Sequence, residues 1–386
     1  MTDQPGGVPI VPSAWWIDQM SLAGDGVTPM RDPAHNGPLA GLGSISVLDP
    51  RPGHAERSRY FWSLIEALRS VGYTDDTLVA APYDWRSAPR GLESRSGYFS
   101  RLRSTIEGLV ASDAAPVTLI GHSLGNRMLQ YFCDWIVASG ESSQEWLDRH
   151  IARYVAVSAL WLGVPKSIRE ALTGAEGFGL TQILGLRSVY QSYGSLPWMI
   201  PVTPDDFRYL NTEHFAFLGD DSRPVTIEAA LESGAASTLG FFEKFYGEDP
   251  LYTSPGAATG DRATRRPPIR RIDVLHAVGQ DTEIGAYYRR SDDGLTTDLD
   301  ASSTDPTVVV RNGIRYETSD LTIQAIDGTR NSGDGFLPYG SLRYFTLWDG
   351  DGIASREFAG RTHYDVLSDP AFLDHVISLV EDVSNA

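Results

Sequence analysis

The segment Val117–Gly125 constrains the fold more than any other. Val117-Thr118-Leu119-Ile120 is a short, mainly apolar run bounded by Pro116 and Gly121. That is how a strand buried in a parallel sheet reads. It runs directly into Gly121-His122-Ser123-Leu124-Gly125, a G-x-S-x-G turn, and Leu124–Val137 then carries apolar residues at helical spacing. Strand, turn and helix with a serine at the apex are the context of a nucleophile elbow. The turn forces the serine backbone into a strained conformation, and the flanking glycines are expected to remove side chains that would clash. The hydroxyl is lifted above the sheet edge at the start of the helix. The Leu124 N–H points to the same spot and is the first expected oxyanion donor, aided by the field of the helix N-terminus. A surface turn with a capping serine would share the five letters but not their context.

The neighbouring segments extend the pattern. Ser58–Val71 reads as an amphipathic helix stopped by Gly72, Asp76–Trp85 as a strand entering a loop, and Ser96–Ala111 as a second helix. Further buried strands are expected at Arg153–Ala159 and Ile272–Val278, and the apolar run Leu342–Trp348 reads as the last strand before a C-terminal helix. Alternating strands and helices predict an α/β fold, a mostly parallel central sheet with helices on both faces. With the elbow, this is the α/β-hydrolase pattern. The 386 residues are read as one domain, 1–386, with a cap or lid insertion over about 165–270 that is partly Gly-rich and partly punctuated by Pro. The acidic stretch Ser291–Asp305 lacks the spacing of a calcium loop and reads as a solvated hairpin or loop.

Charge and cysteine content exclude several classes. Asp plus Glu is 50 against 32 Lys plus Arg, a net charge of −18. This opposes binding to nucleic acid and stable attachment to an anionic membrane. The single cysteine, Cys133, allows no internal disulfide. No H-x-H or H-E-x-x-H pattern suggests a metal, and no cofactor is implied. The first residues lack the basic and apolar regions of a secretory signal, and no run approaches the ~18 apolar residues of a membrane helix. The expected compartment is the cytoplasm.

A serine nucleophile needs a base and an orienting acid, which follow it in this fold in the order Ser, Asp or Glu, His. His214, His276, His363 and His375 lie well beyond the elbow. His214 falls in the insertion, His276 inside a strand and His375 inside the last helix. His363 sits in a loop just before that helix and is the expected base. Asp334, in Asn331-Ser332-Gly333-Asp334-Gly335-Phe336, is the best candidate acid, because the flanking glycines permit a tight turn that presents a carboxylate. Asp327, Asp349 and Asp351 are rivals.

Several segments together resemble the lecithin:cholesterol acyltransferase and lysosomal phospholipase A2 family. Trp16-Ile17-Asp18 resembles its W-I-D segment, and Ala80–Arg86 its A-P-Y-D-W-R almost letter for letter. The elbow helix, Ser195–Pro201 (S-P-W-M-F-P in the family), Ser332–Gly335 and Arg361–His363 complete the likeness. The resemblance implies Ser123, Asp334 and His363 as the catalytic triad and Trp198 and Met199 as part of a lid. Tyr83, Asp84, Trp85 and Arg86 either line the cleft or pin their loop by ion pairs. The family's first strand ends in V-P-G-x-L-G and precedes a small membrane-binding subdomain. Here Ile10-Val11-Pro12-Ser13-Ala14 runs almost directly into Trp15. Ser13 or Ala14 is therefore the expected second oxyanion donor, and the membrane-binding piece is compressed out.

The function expected from these residues is hydrolysis or transfer of a small-molecule, lipid-like or otherwise hydrophobic acyl ester through an acyl-enzyme on Ser123. A thioesterase or peptidase would use the same triad. A non-catalytic binding or scaffold protein would keep the fold without the chemistry. The sequence does not specify the oligomeric state.

Overall fold

A computed structural model describes residues 14–31, 41–48, 55–140, 143–174, 186–201, 215–219, 222–253, 265–292, 294–320, 323–324 and 328–384. Its central sheet has four strands, β1 (Val117–His122), β2 (Ile151–Val157), β5 (Ile272–Val278) and β12 (Ile353–Ala359), in the order β1-β2-β5-β12. Every pairing in it is parallel. Successive residues feed opposite faces. Tyr154, Ala156, Ile272 and Val274 pack on one side with Phe99, Leu102, Met128 and Phe132. These last come from the helices Tyr98–Asp113 and Leu124–Ala138. Val155, Val157, Leu275 and Ala277 pack on the other side with Leu64, Leu68, Phe372 and Val376, from the helices Trp62–Ser70 and Pro370–Ser384. The fold is the α/β-hydrolase fold, with helices on both faces of a parallel sheet.

Two expected strands differ. Residues 76–85 form no ladder, and Pro82 there cannot donate to one. Leu342–Trp348 is not the last strand. It lies across the helix Tyr339–Arg343 and the 3-10 turn Tyr344–Leu347, and the last strand is β12.

A second sheet of six strands stands beside the first. It contains β3 (Ala216–Leu218), β4 (Arg223–Val225), β6 (Thr282–Ser291), β7 (Gly294–Thr297), β8 (Val309–Arg311) and β9 (Ile314–Glu317), in the order β4-β3-β6-β9-β8 with β7 also on β6. Its strands come from both sides of β5: β3 and β4 lie within the insertion, and β6 to β9 follow it. β10 (Ile323–Gln324) and β11 (Arg330–Asn331) pair separately as a short antiparallel ladder. The acidic stretch is the β6–β7 hairpin and beyond, with Leu295 turned fully inward. Among the described residues no helix is long and apolar enough to cross a membrane.

Candidate active site

Ser123 sits between the end of β1 and the helix Leu124–Ala138, with φ 53° and ψ −126°. A non-glycine residue there is strained, at a cost of about 1–3 kcal/mol, and persists only where its surroundings fix it. Both sides of its backbone are held. The Ser123 N–H donates to the Val157 carbonyl at 3.1 Å, and its own carbonyl accepts from the Asn126 N–H at 3.0 Å. Asn126 Nδ2 donates to the carbonyls of Ser123 (3.1 Å) and Val157 (3.0 Å), and the Tyr154 hydroxyl donates to Asn126 Oδ1 at 2.7 Å. The two motif glycines are not equivalent. A Cβ at Gly121 would lie 2.7 Å from Asn126 Oδ1 and 2.9 Å from Leu129 Cδ1, whereas one at Gly125 would meet nothing within 4 Å. The expected clash is real only at Gly121. Leu124 takes the first helical position, where an amide has no intrahelical acceptor.

Asp334 and His363 are brought together. His363 Nδ1 and Asp334 Oδ2 are 2.7 Å apart, and both side chains are buried. The His363 N–H also donates to the Asp334 carbonyl at 2.7 Å. Asp334 Oδ1 accepts from the amides of Phe336 (3.0 Å) and Leu337 (2.7 Å). Burial alone would raise the Asp334 carboxyl, but His363 and these two amides outweigh it and hold the group below the ordinary carboxylate range. With Nδ1 engaged by a carboxylate, Nε2 is the basic nitrogen. It is buried and has no hydrogen-bond partner among the described residues. The Phe336 ring stacks on the imidazole with centroids 5.0 Å apart.

The acid loop hangs from the second sheet. Glu317 of β9, itself fully buried, accepts from the amides of Gly333 and Tyr339, each at 2.7 Å. Thr282 of β6 accepts from the Gly335 amide at 2.9 Å. A Cβ at Gly333 would lie 1.9 Å from the Leu337 carbonyl oxygen, so only glycine fits. None of these supports has a spacing signature in the sequence. Nor does the role of His122, the variable letter of the elbow motif. Its ring nitrogens meet the Tyr60 hydroxyl at 2.6 Å and the His363 carbonyl at 2.9 Å.

The remaining candidates divide. Asp84 and Arg86 grip each other, Arg86 Nε and one terminal nitrogen each lying 2.8 Å from the carboxylate. Arg86 also donates to the Gln19 carbonyl at 2.7 Å, so this pair pins its loop. Tyr83 packs on Tyr98 and Trp85 on Tyr193. Trp198 is 2% exposed, edge-on to Tyr131 and Tyr246 in the core. Met199 instead joins Leu124 and Phe336 against buried Leu160, Val164, Leu337 and Leu342. Ala14 opens the exposed start of the helix Ala14–Met20. Ser13, Asp327 and His214 lie outside the described residues. The carbonyls of Asp349 and Asp351 accept from Arg266. His276 is buried in β5, 3.5 Å from Glu357, and His375 lies in the last helix. Among the described residues no group of three or more His, Cys, Asp or Glu side chains is placed to hold a metal.

Comparison with known proteins gives one family model, described as lecithin:cholesterol acyltransferase, matching residues 6–232. A phospholipid–sterol O-acyltransferase of Arabidopsis thaliana is 25% identical over a stretch covering 81% of this chain and 58% of that protein. A phospholipid:diacylglycerol acyltransferase of Schizosaccharomyces pombe is 27% identical, covering 68% and 49%. The bovine lysosomal phospholipase A and acyltransferase is 33% identical, covering 41% and 37%. The chain thus spans about half the length of the curated relatives it matches.

Proposed function

As the chain belongs to the lecithin:cholesterol acyltransferase family, we propose that it hydrolyses or transfers the acyl group of a lipid-like ester through an acyl-enzyme on Ser123. The observation that carries this is the 2.7 Å Asp334–His363 pair, on a histidine whose buried Nε2 has no partner among the described residues and whose carbonyl is tied to the residue before Ser123. Ser123 Oγ attacks the ester carbonyl and gives its proton to His363 Nε2. Asp334 fixes the tautomer and stabilises the imidazolium. The Leu124 N–H stabilises the oxyanion, with Ser13 or Ala14 as the second donor. The leaving alcohol takes the proton from His363, and the acyl-enzyme forms. Water or an acceptor alcohol then attacks it, with His363 again as base. Leu124, Met199 and Phe336 offer an apolar wall for the acyl chain. The names of the relatives favour a phospholipid donor and an alcohol acceptor. The single buried thiol of Cys133 fits the cytoplasm.

A fluorophosphonate probe and an activated acyl ester test this together. Wild type should be labelled at Ser123 and turn over the ester, and Ser123→Ala should lose on the order of 10⁶-fold in kcat. Turnover by Ser123→Ala at the wild-type rate would sink the reading.

A further inference from the structure

We propose that Tyr60 and His122 are positioning residues for this reaction, tying the backbone of the base to the residue beside the nucleophile. The inference rests on the acyl-transfer reading of Ser123 and His363. His122 is the last residue of β1 and immediately precedes Ser123. Its ring reaches the backbone of His363. His122 Nε2 lies 2.9 Å from the His363 carbonyl oxygen. A carbonyl only accepts, so Nε2 must carry the proton. In the neutral ring Nδ1 is then the acceptor, and the Tyr60 hydroxyl, 2.6 Å away, donates to it. No other tautomer of the neutral ring satisfies both contacts.

The consequence is a closed set of links. The His363 N–H is held by the carbonyl of the acid, at 2.7 Å. The His363 C=O is held by the side chain that precedes the nucleophile. Base, acid and nucleophile therefore cannot drift apart without breaking a buried hydrogen bond. The arrangement also suits the charge that develops. The rings of His122 and His363 are 4.6 Å apart, centre to centre. When His363 takes the serine proton, a second cation at that distance would oppose it. Burial first, and the adjacent His363 second, push the His122 imidazole down to about 3, so it stays neutral through the cycle. Burial likewise raises the Tyr60 phenol, which stays a donor.

The test uses His122→Leu, His122→Gln and Tyr60→Phe in the full chain, with a soluble activated ester, fluorophosphonate labelling rates and melting temperatures. A displacement of about 1 Å in such a site costs on the order of 10²-fold. His122→Leu should lower kcat and the labelling rate by about that factor, with KM changed less than about threefold. A glutamine amide reaches the place of the ring Nε2 and can donate to the His363 carbonyl, so His122→Gln should recover most of the loss. Tyr60→Phe should lie between wild type and His122→Leu. A folded His122→Leu that is labelled at the wild-type rate overturns the proposal. Should that variant not fold, a wild-type kcat in folded Tyr60→Phe overturns it. An unlabelled wild type instead removes the acyl-transfer reading on which the proposal stands.

Discussion

On the nucleophile side, what holds Ser123 comes from its own strand–turn–helix unit and the next strand of the same sheet. Val157, Asn126 and Tyr154 fix its backbone directly or at one remove, all from β1, the helix after it and the neighbouring parallel strand β2. On the acid side, Asp334 is placed by groups from another sheet. Glu317 and Thr282 hold the glycines on either side of it from strands β9 and β6, 16 and 53 residues away in sequence. The first region is a strand–turn–helix unit that stores strain in one serine. The second is a loop with little regular structure of its own, made rigid by a buried carboxylate. The proposed triad needs both to hold the same precision, though only the first is built within a single sheet.

Within this comparison, the largest expected effect comes from breaking the link between the regions. Asp334→Asn should keep the fold, because the amide oxygen can still accept from Phe336 and Leu337. It should lower kcat by about 10⁴-fold, because the wrong tautomer of the base is then favoured. A variant within tenfold of wild type on the activated ester would show that Asp334 is not the working acid.

Next in size are the supports themselves. Glu317→Leu leaves the buried amides of Gly333 and Tyr339 unpaired, at about 1–3 kcal/mol each. Asn126→Leu strips side-chain bonds from a turn that keeps its backbone ones, and should cost about half as much. Denaturant titration of the two variants measures the difference, and equal losses would erase the contrast. Glu317→Leu should also lower kcat, since the loop it loosens carries Asp334.

The same contrast explains what the sequence made legible. Ile272–Val278 was expected as a strand over those very residues because a central parallel strand is buried on both faces and reads as an unbroken apolar run. β12 lies at the edge, exposes Ser355 and Arg356, and carries no such run, so the apolar Leu342–Trp348 drew the expectation instead. The second sheet was not foreseen. Its strands are mainly short, and its register depends on pairings between segments from both sides of β5. Asp334 and His363 could be picked out by turn chemistry and chain order. Glu317, Thr282 and Tyr60 could not, since their roles exist only once distant elements meet.

Acidification should act where the regions join. His122 ordinarily titrates near 6.5 and is pushed down to about 3 in the fold, and Asp334 lies below its ordinary 3.8. Between pH 6.5 and about 3 the unfolded chain binds a proton at His122 that the folded chain refuses. Stability rises with pH there and is lost as pH falls. The Asp334 contribution is lost at still lower pH. His122→Gln has no group to titrate, so its melting temperature should fall less steeply than that of wild type between pH 6.5 and 4. Parallel curves would place the imidazole in contact with water.

The smallest effect separates the two glycines of one motif. Gly121→Ala drives a methyl group into Asn126 and Leu129 and should cost about 1–3 kcal/mol, the usual range for overpacking. Gly125→Ala adds a methyl group to open space in the first turn of a helix, where alanine is intrinsically favoured over glycine. Its stability should change by less than about 0.5 kcal/mol, or rise slightly. The local rule treats both glycines as spacers that keep the serine clear. The packing assigns that duty to Gly121, through the same Asn126 that holds the Ser123 carbonyl. A Gly125→Ala variant as damaged as Gly121→Ala would mean that the elbow is crowded on both sides, and that the nucleophile region is less locally built than its hydrogen bonds indicate.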